Sequence, residues 1–321
     1  HLYDSDNAML ENLTVTGNTA VGYSAGGIYI SESNNAMLEN LTVTDNTSSD
    51  KGGGLYMSYS NNAMLENLTV TGNTAYYGGG LYIYESDTAI LNSLTITDNT
   101  AASDGGGLYM SYSNNAMLEN LTVTDNTSGG ADGGGIYIKV SDNPILENLT
   151  ITGNTAEYGG GIYLYDSDTP ILSNLTVTGN TADINGGGIY IRSSDTAMLE
   201  SLTITDNTSD INGGGLYIYD SDTVILENLT VTDNSAEYGG GLHLYNSDNA
   251  MLNSLTITDN TAADISGGMY LYNSDNAMLE NLTITGNTAE YGGGLYIRES
   301  DTATVSNSIL WDNGSDPIYN D

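Results

Sequence analysis

The chain has no cysteine and no phenylalanine, only 3 prolines, and just four basic residues, Lys51, Lys139, Arg192 and Arg298, in 321. The lack of cysteine excludes a disulfide framework and thiol chemistry; it leaves the compartment open, because a long repeat needs no staples. Four basic residues against 41 acidic ones leave a formal net charge of −37. Such a charge repels phosphate backbones and anionic headgroups, so nucleic acid and membrane surfaces are excluded as partners. No apolar run is long enough to cross a bilayer as a helix. What is abundant is glycine (40) and tyrosine (25), with hydrophobic residues at 39%, a composition that describes a thin core and an aromatic surface.

The order of these residues is a repeat. GGGLYMSYSNNAMLENLTVT stands at 52–71 and again, letter for letter, at 105–124. Aligned on the leucine of the Asn-Leu-Thr or Ser-Leu-Thr step, the copies fall at Leu13, Leu41, Leu68, Leu94, Leu121, Leu149, Leu175, Leu202, Leu229, Leu255, Leu282 and, degenerately, Ser308, with spacings of 26, 27 or 28 residues. A period of this size marks a solenoid, in which each unit buries its apolar residues against its neighbours. One elongated body over 1–321 is therefore expected, with 302–321 as a degenerate last coil or cap. His1 falls in register with His243, mid-strand, so the chain reads as a processed or trimmed part of something longer.

Within a coil the alternation of apolar and outward residues predicts three short strands, for example Leu81-Tyr82-Ile83-Tyr84, Ala89-Ile90-Leu91 and Leu94-Thr95-Ile96-Thr97. All variation in length lies between the Asn after the third strand and the glycines, so one turn is free to bulge. That Asn recurs at Asn18, Asn46, Asn73, Asn99, Asn126, Asn154, Asn180, Asn207, Asn234, Asn260, Asn287 and Asn313. A column of identical amides can hydrogen-bond along the stack and satisfy turn groups that no sheet partner reaches.

The Gly-Gly-Gly-Leu-Tyr and Val-Thr-Gly-Asn steps resemble the repeats of polymorphic outer-membrane proteins and autotransporter-like surface proteins. More broadly, the chain is similar to pectin-lyase-like right-handed parallel β-helices. The resemblance implies an all-β, right-handed parallel β-helix of about twelve coils. It also implies an extracellular or cell-surface setting; the superfamily holds polysaccharide lyases and hydrolases as well as adhesins.

Several columns are candidates for function. The first strand carries Tyr29, Tyr56, Tyr82, Tyr109, Tyr137, Tyr163, Tyr190, Tyr217, His243, Tyr270 and Tyr296, expected to point outward as a stacking platform for sugars or as plain strand formers. The second carries Met9, Met37, Met64, Ile90, Met117, Ile145, Ile171, Met198, Ile225, Met251 and Met278, an apolar stripe suited to lateral self-association. Outward threonines, from Thr14 and Thr16 to Thr283 and Thr285, form a T-x-T grid resembling the ice-binding face of insect-type antifreeze proteins. Asp142, Asp168, Asp195, Asp222, Asp248, Asp275 and Asp301 stack at one turn, and a second column alternates Asp45, Asp98, Asp125, Asp206, Asp233, Asp259 and Asp312 with glycine. Carboxylates one coil apart repel by about 0.8 kcal/mol even in water, so counter-cations, with Ca²⁺ as the specific candidate, are expected to help. Eight Asn-Leu-Thr sequons, at Asn12, Asn40, Asn67, Asn120, Asn148, Asn174, Asn228 and Asn281, are acceptors for glycosylation or simply copies of one another.

Catalysis on such a scaffold needs coils that break the repeat, whereas these outer positions are nearly monotonous and carboxylates in identical coils have no reason to differ in pKa. The sequence therefore predicts an extracellular structural or adhesive β-solenoid, not an enzyme, that self-associates into a surface fibre and has a possible glycan or surface ligand. The alternatives are an ice-binding protein and a carbohydrate-binding or carbohydrate-active β-helix.

Overall fold

The computed structural model describes residues 1–22, 25–314 and 318–320. Residues 315–317 and 321 of the expected cap lie outside the described residues. Contacts cluster into two units, His1–Glu157 and Tyr158–Asp321. Each is a stack of parallel β coils, about twelve in total, and the described residues contain no helix.

In the first unit one coil runs Leu81–Tyr84, Ile90–Asn92, Thr95–Thr97 and Thr100–Ala101. Each strand pairs in register with its copies in the adjoining coils, Leu81 with Leu55 and Leu108, Ile90 with Met64 and Met117, and Thr95 with Thr69 and Thr122. In the second unit a coil runs Leu216–Tyr219, Ile225–Glu227, Thr230–Thr232 and Ser235–Tyr238. The three expected strands are all present, and a short fourth joins them in most coils. The start of the variable segment is a fourth strand, because the Thr-Ala or Thr-Ser pair after the Asn also alternates outward and inward. Thr100 pairs with Thr74 and Ala101 with Ala75.

Alternation places the core. Leu81, Ile83, Ala89, Leu91, Ile96 and Ala101 are all fully buried, and their counterparts are buried in the inner coils of both units. Besides a glycine before the first strand, four residues in most coils turn the chain through left-handed backbone, such as Glu85 (φ 42°), Thr88 (φ 58°), Ser93 (φ 59°) and Asp98 (φ 54°). Glycine, Asn and Asp enter that region at least cost. This explains two patterns. The Asp/Gly column is a left-handed position, with Asp98 alternating with Gly72 (φ 66°), and the sequon Asn is another, with Asn67 at φ 55° and Asn120 at φ 57°.

The asparagines form the expected ladder inside each unit. The side-chain carbonyl of Asn99 accepts from both the backbone N–H and the amide of Asn73 at 3.0 Å, and the amide of Asn99 donates to the carbonyl of Val70 at 2.9 Å. The glycines pass directly against this ladder, since a Cβ on Gly80 would lie 2.6 Å from the Gly107 carbonyl and 3.1 Å from Asn99 Cγ. A second ladder went unread in the sequence. The fully buried Ser60, Ser86 and Ser113 each accept the N–H of the preceding coil's serine where one is present, as Ser86 Oγ does from Ser60 at 3.1 Å and Ser113 Oγ from Ser86 at 3.0 Å. Its signal was a serine repeated two residues after the first strand.

Candidate functional site

The predicted columns separate once placed on the coils. The Met/Ile column faces outward in register, half-buried at Met64 and 64% exposed at Met9. The threonines of the third strands also face outward, with hydroxyl contacts such as Thr124 to Thr97 at 2.9 Å. The stacked aspartates sit on exposed turns, where one carboxylate oxygen accepts the backbone N–H of the next coil's aspartate. Asp168 accepts from Asp195 at 3.0 Å, Asp195 from Asp222 at 2.8 Å and Asp248 from Asp275 at 2.7 Å, while Asp142 donates its N–H to Asn114 at 2.8 Å. This gives Asp and Asn a common backbone role. Among the described residues no three His, Asp or Glu side chains are grouped to share a metal ion.

The tyrosine column is corrected. Tyr56, Tyr82, Tyr109, Tyr137, Tyr163, Tyr190, Tyr217, Tyr270 and Tyr296 point away from the core yet are buried, and Tyr29 is half-buried. The rings cover one another coil by coil, with centroids 4.9 Å apart at Tyr109–Tyr137 and 4.6 Å at Tyr163–Tyr190. The glycine turn folds back over them, so that a Cβ on Gly105 would lie 2.5 Å from Tyr109 Cβ.

The basic side chains of each unit lie beside its tyrosine column. The Lys51 ammonium lies 5.3 Å from the Tyr82 ring centre, Arg192 lies 5.4 and 5.5 Å from Tyr165 and Tyr219, and Arg298 lies 5.2 Å from Tyr272. Lys139 ends a first strand beside Ser111. On a chain with net charge −37, each of the four basic side chains lies by the tyrosine-lined side of its own unit. The sequence signal was that Lys139, Arg192 and Arg298 share one column with Tyr84, Tyr165, Tyr219, Tyr245 and Tyr272.

In the second unit this face opens into a groove of about 410 Å³. Its floor is Tyr217, His243 and Tyr270 from successive first strands, one side is Tyr245, Tyr272 and Arg298, and the other is Asn212, Tyr238, Asp264 and Ile265 from the widened turns. His243 interrupts the tyrosine column, stacked 4.5 Å from Tyr270 and 5.0 Å from Tyr217. It is 3% exposed and neither ring nitrogen has a hydrogen-bond partner within the protein. Burial pushes its pKa down to about 3, so the imidazole is neutral at physiological pH. Tyr270 is pushed up to about 12, burial outweighing the opposing hydrogen bond and charge of Arg298. Tyr238 is raised chiefly by its hydrogen bond to Glu237, with Asp264 adding to it. An isolated imidazole, a guanidinium, a carboxylate and phenols therefore converge where the repeat is broken.

The first unit has a second departure from uniformity. In the long variable turn before Ile136, Asp132 is pushed up to about 6 by burial and by the charge of Asp104, and the Tyr137 hydroxyl hydrogen-bonds to it. Coils with near-identical sequences thus do not give identical carboxylates, because their turns differ in length.

His243 makes acid stability measurable at one residue. Above pH about 6.5 it is neutral both folded and unfolded; below, the unfolded chain takes up a proton that the fold refuses until about pH 3. Stability therefore falls as pH falls through that window, by about 1.4 kcal/mol per pH unit. His243→Tyr, which restores the column, is expected to gain about 2 kcal/mol over the parent at pH 5 relative to the difference at pH 7.5. Paired denaturant titrations at the two pH values check this, and a constant difference refutes it.

A sequence model described as the right handed beta helix region matches residues 1–182, 53–228, 106–281 and 227–321. Among solved structures, the chain is similar to a periplasmic alginate epimerase (12% identity over 96% of this chain and 84% of that one, TM-score 0.47). It is similar also to the A-module of an Azotobacter vinelandii mannuronan C-5 epimerase (14%, 89% and 90%, 0.48) and to the Dettilon tailspike protein (10%, 97% and 61%, 0.53). No curated protein matches. Likeness at this identity shows the fold alone. The expectation of a non-catalytic structural or adhesive filament, and of no enzyme, is nevertheless corrected. The face taken to be monotonous holds a groove of titratable groups, which removes the ground on which catalysis was set aside and leads to the carbohydrate-active alternative. Over its whole length, the chain belongs to the right-handed β-helix family.

Proposed function

We propose that this protein is a carbohydrate-active β-helix that holds an acidic glycan in the groove over Tyr217, His243 and Tyr270. The observation that carries the reading is the coincidence, in one cleft, of an aromatic floor, one of only four cations, and a buried imidazole with both nitrogens unpartnered. Tyrosine faces suit the apolar faces of sugar rings. Arg298 suits a carboxylate, since its planar fork can bind both oxygens. A bound carboxylate places negative charge near His243 and raises its pKa toward the working range of a base. The reaction class that fits is removal of the proton on the carbon next to that carboxylate by His243. Arg298 stabilises the resulting negative charge, and the Tyr270 hydroxyl, stacked beside His243 on the same floor, gives its proton to the departing oxygen of the neighbouring carbon. Elimination of that substituent, with a new double bond, follows.

A place of action outside the cytoplasm belongs to the same proposal. Its supports are the substrate class, the resemblance of the glycine and Asn steps to surface-protein repeats, and the periplasmic and tailspike neighbours.

The test is incubation of the full chain with alginate, polygalacturonate and an uncharged glucan. Binding is followed by calorimetry and turnover by proton NMR, which reports inversion and new double bonds separately. Binding of an acidic polymer, weakened about tenfold or more in Arg298→Gln, is expected from loss of a charge-assisted contact. Failure to bind either acidic polymer, or an Arg298→Gln protein that binds as the parent does, would remove the proposal.

A further inference from the structure

One side of the groove continues past it. Arg192, Tyr219, Tyr245, Tyr272 and Arg298 end the first strands of five successive coils in the second unit, and they pair in register, Arg192 with Tyr219, Tyr219 with Tyr245, Tyr245 with Tyr272 and Tyr272 with Arg298. Of these, Tyr245, Tyr272 and Arg298 line the groove, while Arg192 and Tyr219 prolong the same strip beyond it.

The two arginines are held alike. Arg192 donates to the hydroxyl of Tyr163 and Arg298 to that of Tyr270, in each case a first-strand tyrosine of the preceding coil. Arg192 lies 5.4 Å from the Tyr165 ring centre and 5.5 Å from that of Tyr219, and Arg298 lies 5.2 Å from that of Tyr272. The exposed Glu299 carboxylate stands 3.6 Å from Arg298 Nε. A guanidinium has five N–H donors in a planar fork, so these partners do not exhaust it.

Between the arginines stand three half-buried tyrosines and no lysine or arginine. Tyr219 stacks on Tyr245 with centroids 5.2 Å apart, and Tyr272 meets Tyr245 edge-on at 4.9 Å. The flank is acidic. Asp220 follows Tyr219 and accepts from the Asn246 amide at 2.9 Å, and Asp195, Asp222 and Asp248 hold the turns just after it. Ring faces carry negative partial charge and suit the apolar faces of sugars, but not a carboxylate.

We propose that Arg192 is a second carboxylate anchor for the glycan held in the groove, and that the glycan preferred is one whose charged sugars are separated by neutral ones. The inference rests on the reading of that groove as an acidic-glycan site. At about 4.8 Å per coil the two arginines stand about 19 Å apart along the stack. A sugar in an extended chain is about as long as a coil is thick, so carboxylates about four sugars apart meet both arginines while the sugars between them lie on the tyrosines. A polymer charged on every sugar also reaches both arginines, but it sets the intervening carboxylates over ring faces and beside Asp220 with no cation to offset them.

The test is calorimetric titration of the full chain at physiological salt with alginate and with galacturonan, each fully charged, about three-quarters esterified at random, and fully esterified, and with the trisaccharide of each uronate, which is too short to span the arginines. The partly esterified form of the polymer that binds is expected to bind about fivefold more tightly than either extreme, and to lose about tenfold in Arg192→Gln. The trisaccharide should bind Arg192→Gln as it binds the parent and weaken in Arg298→Gln. Lys51→Gln, the same change in net charge placed in the first unit, should bind every form as the parent does. Absence of all binding, trisaccharide included, would remove the reading of the groove and this inference with it. Trisaccharide binding that depends on Arg298 would keep that reading, and the inference alone would fall if the parent preferred the fully charged polymer, if Arg192→Gln bound the partly esterified one undiminished, or if Lys51→Gln weakened it equally.

Discussion

Asn126→Asp is expected to cost about 4 kcal/mol or more, although it changes one terminal atom and almost no volume. Asn126 is fully buried. Its amide nitrogen donates to the carbonyl of Ile96 and to the side chain of Asn154, both at 3.0 Å, and its oxygen accepts the backbone N–H and the amide of Asn99, also at 3.0 Å. Aspartate keeps the acceptor and loses both donors. A carboxylate oxygen then faces two carbonyl oxygens with no proton between them and no water to solvate the charge. Each buried acceptor left unmet costs about 1–3 kcal/mol, and a buried charge more. Asn126→Ala removes the clash of oxygens and strands the same groups, so it should fall slightly below the Asp variant. Urea unfolding of both variants measures the effect. If Asp were tolerated within about 1 kcal/mol, the ladder would be a by-product of the coil and not a support for it.

Gly107→Ala should be nearly as damaging, from the opposite cause. Here the added methyl has no space. A Cβ on Gly107 would lie 2.6 Å from the Gly135 carbonyl oxygen and 3.0 Å from Asn126 Cγ. Both obstacles are fixed, one by the backbone of the adjoining coil and the other by the ladder just described. Relief requires the coils to part locally. Overpacking of a rigid site costs about 1–3 kcal/mol and at times more, and about 3 kcal/mol is expected because neither neighbour can rotate away. Gly17→Ala is the control, since a Cβ there meets nothing within 4 Å and only the left-handed backbone (φ 66°) opposes it. The difference in urea midpoint between the two variants isolates the close approach from glycine's backbone freedom. Equal losses would assign the glycine column to turn geometry alone.

Both devices rest on residues that the repeat displays openly. An Asn in every coil, and glycines that never yield to alanine at the ladder, are visible in the one-letter code, because stacking in register forces the same local problem on each coil and the same residue solves it. The fourth strand was less visible, since a Thr-Ala pair entering a variable turn looks like turn. The Asp columns misled for a similar reason. Charge drew attention to their repulsion, while their geometry answers to the backbone, through one N–H accepted at the Asp168–Asp195 turn and left-handed φ at Asp98.

The groove is another matter. His243 and Arg298 are 55 positions apart in the sequence, and Asp264 belongs to a turn whose length alone marks it as unusual. Their meeting depends on coils two apart adding their outward side chains to one strip, and on widened turns rising beside that strip to enclose it. The burial of the tyrosines has the same origin. Alternation says only that Tyr217 points away from the core; the stacked rings and the turn that folds over them make that outward side an interior. The β-solenoid, its core and its amide ladder are thus legible in the residues alone, because these are local, periodic demands met once per coil. Tertiary structure alone decided which outward residues are buried, which carboxylates differ, and where a site can form, because those depend on irregular turns packing across several coils at once.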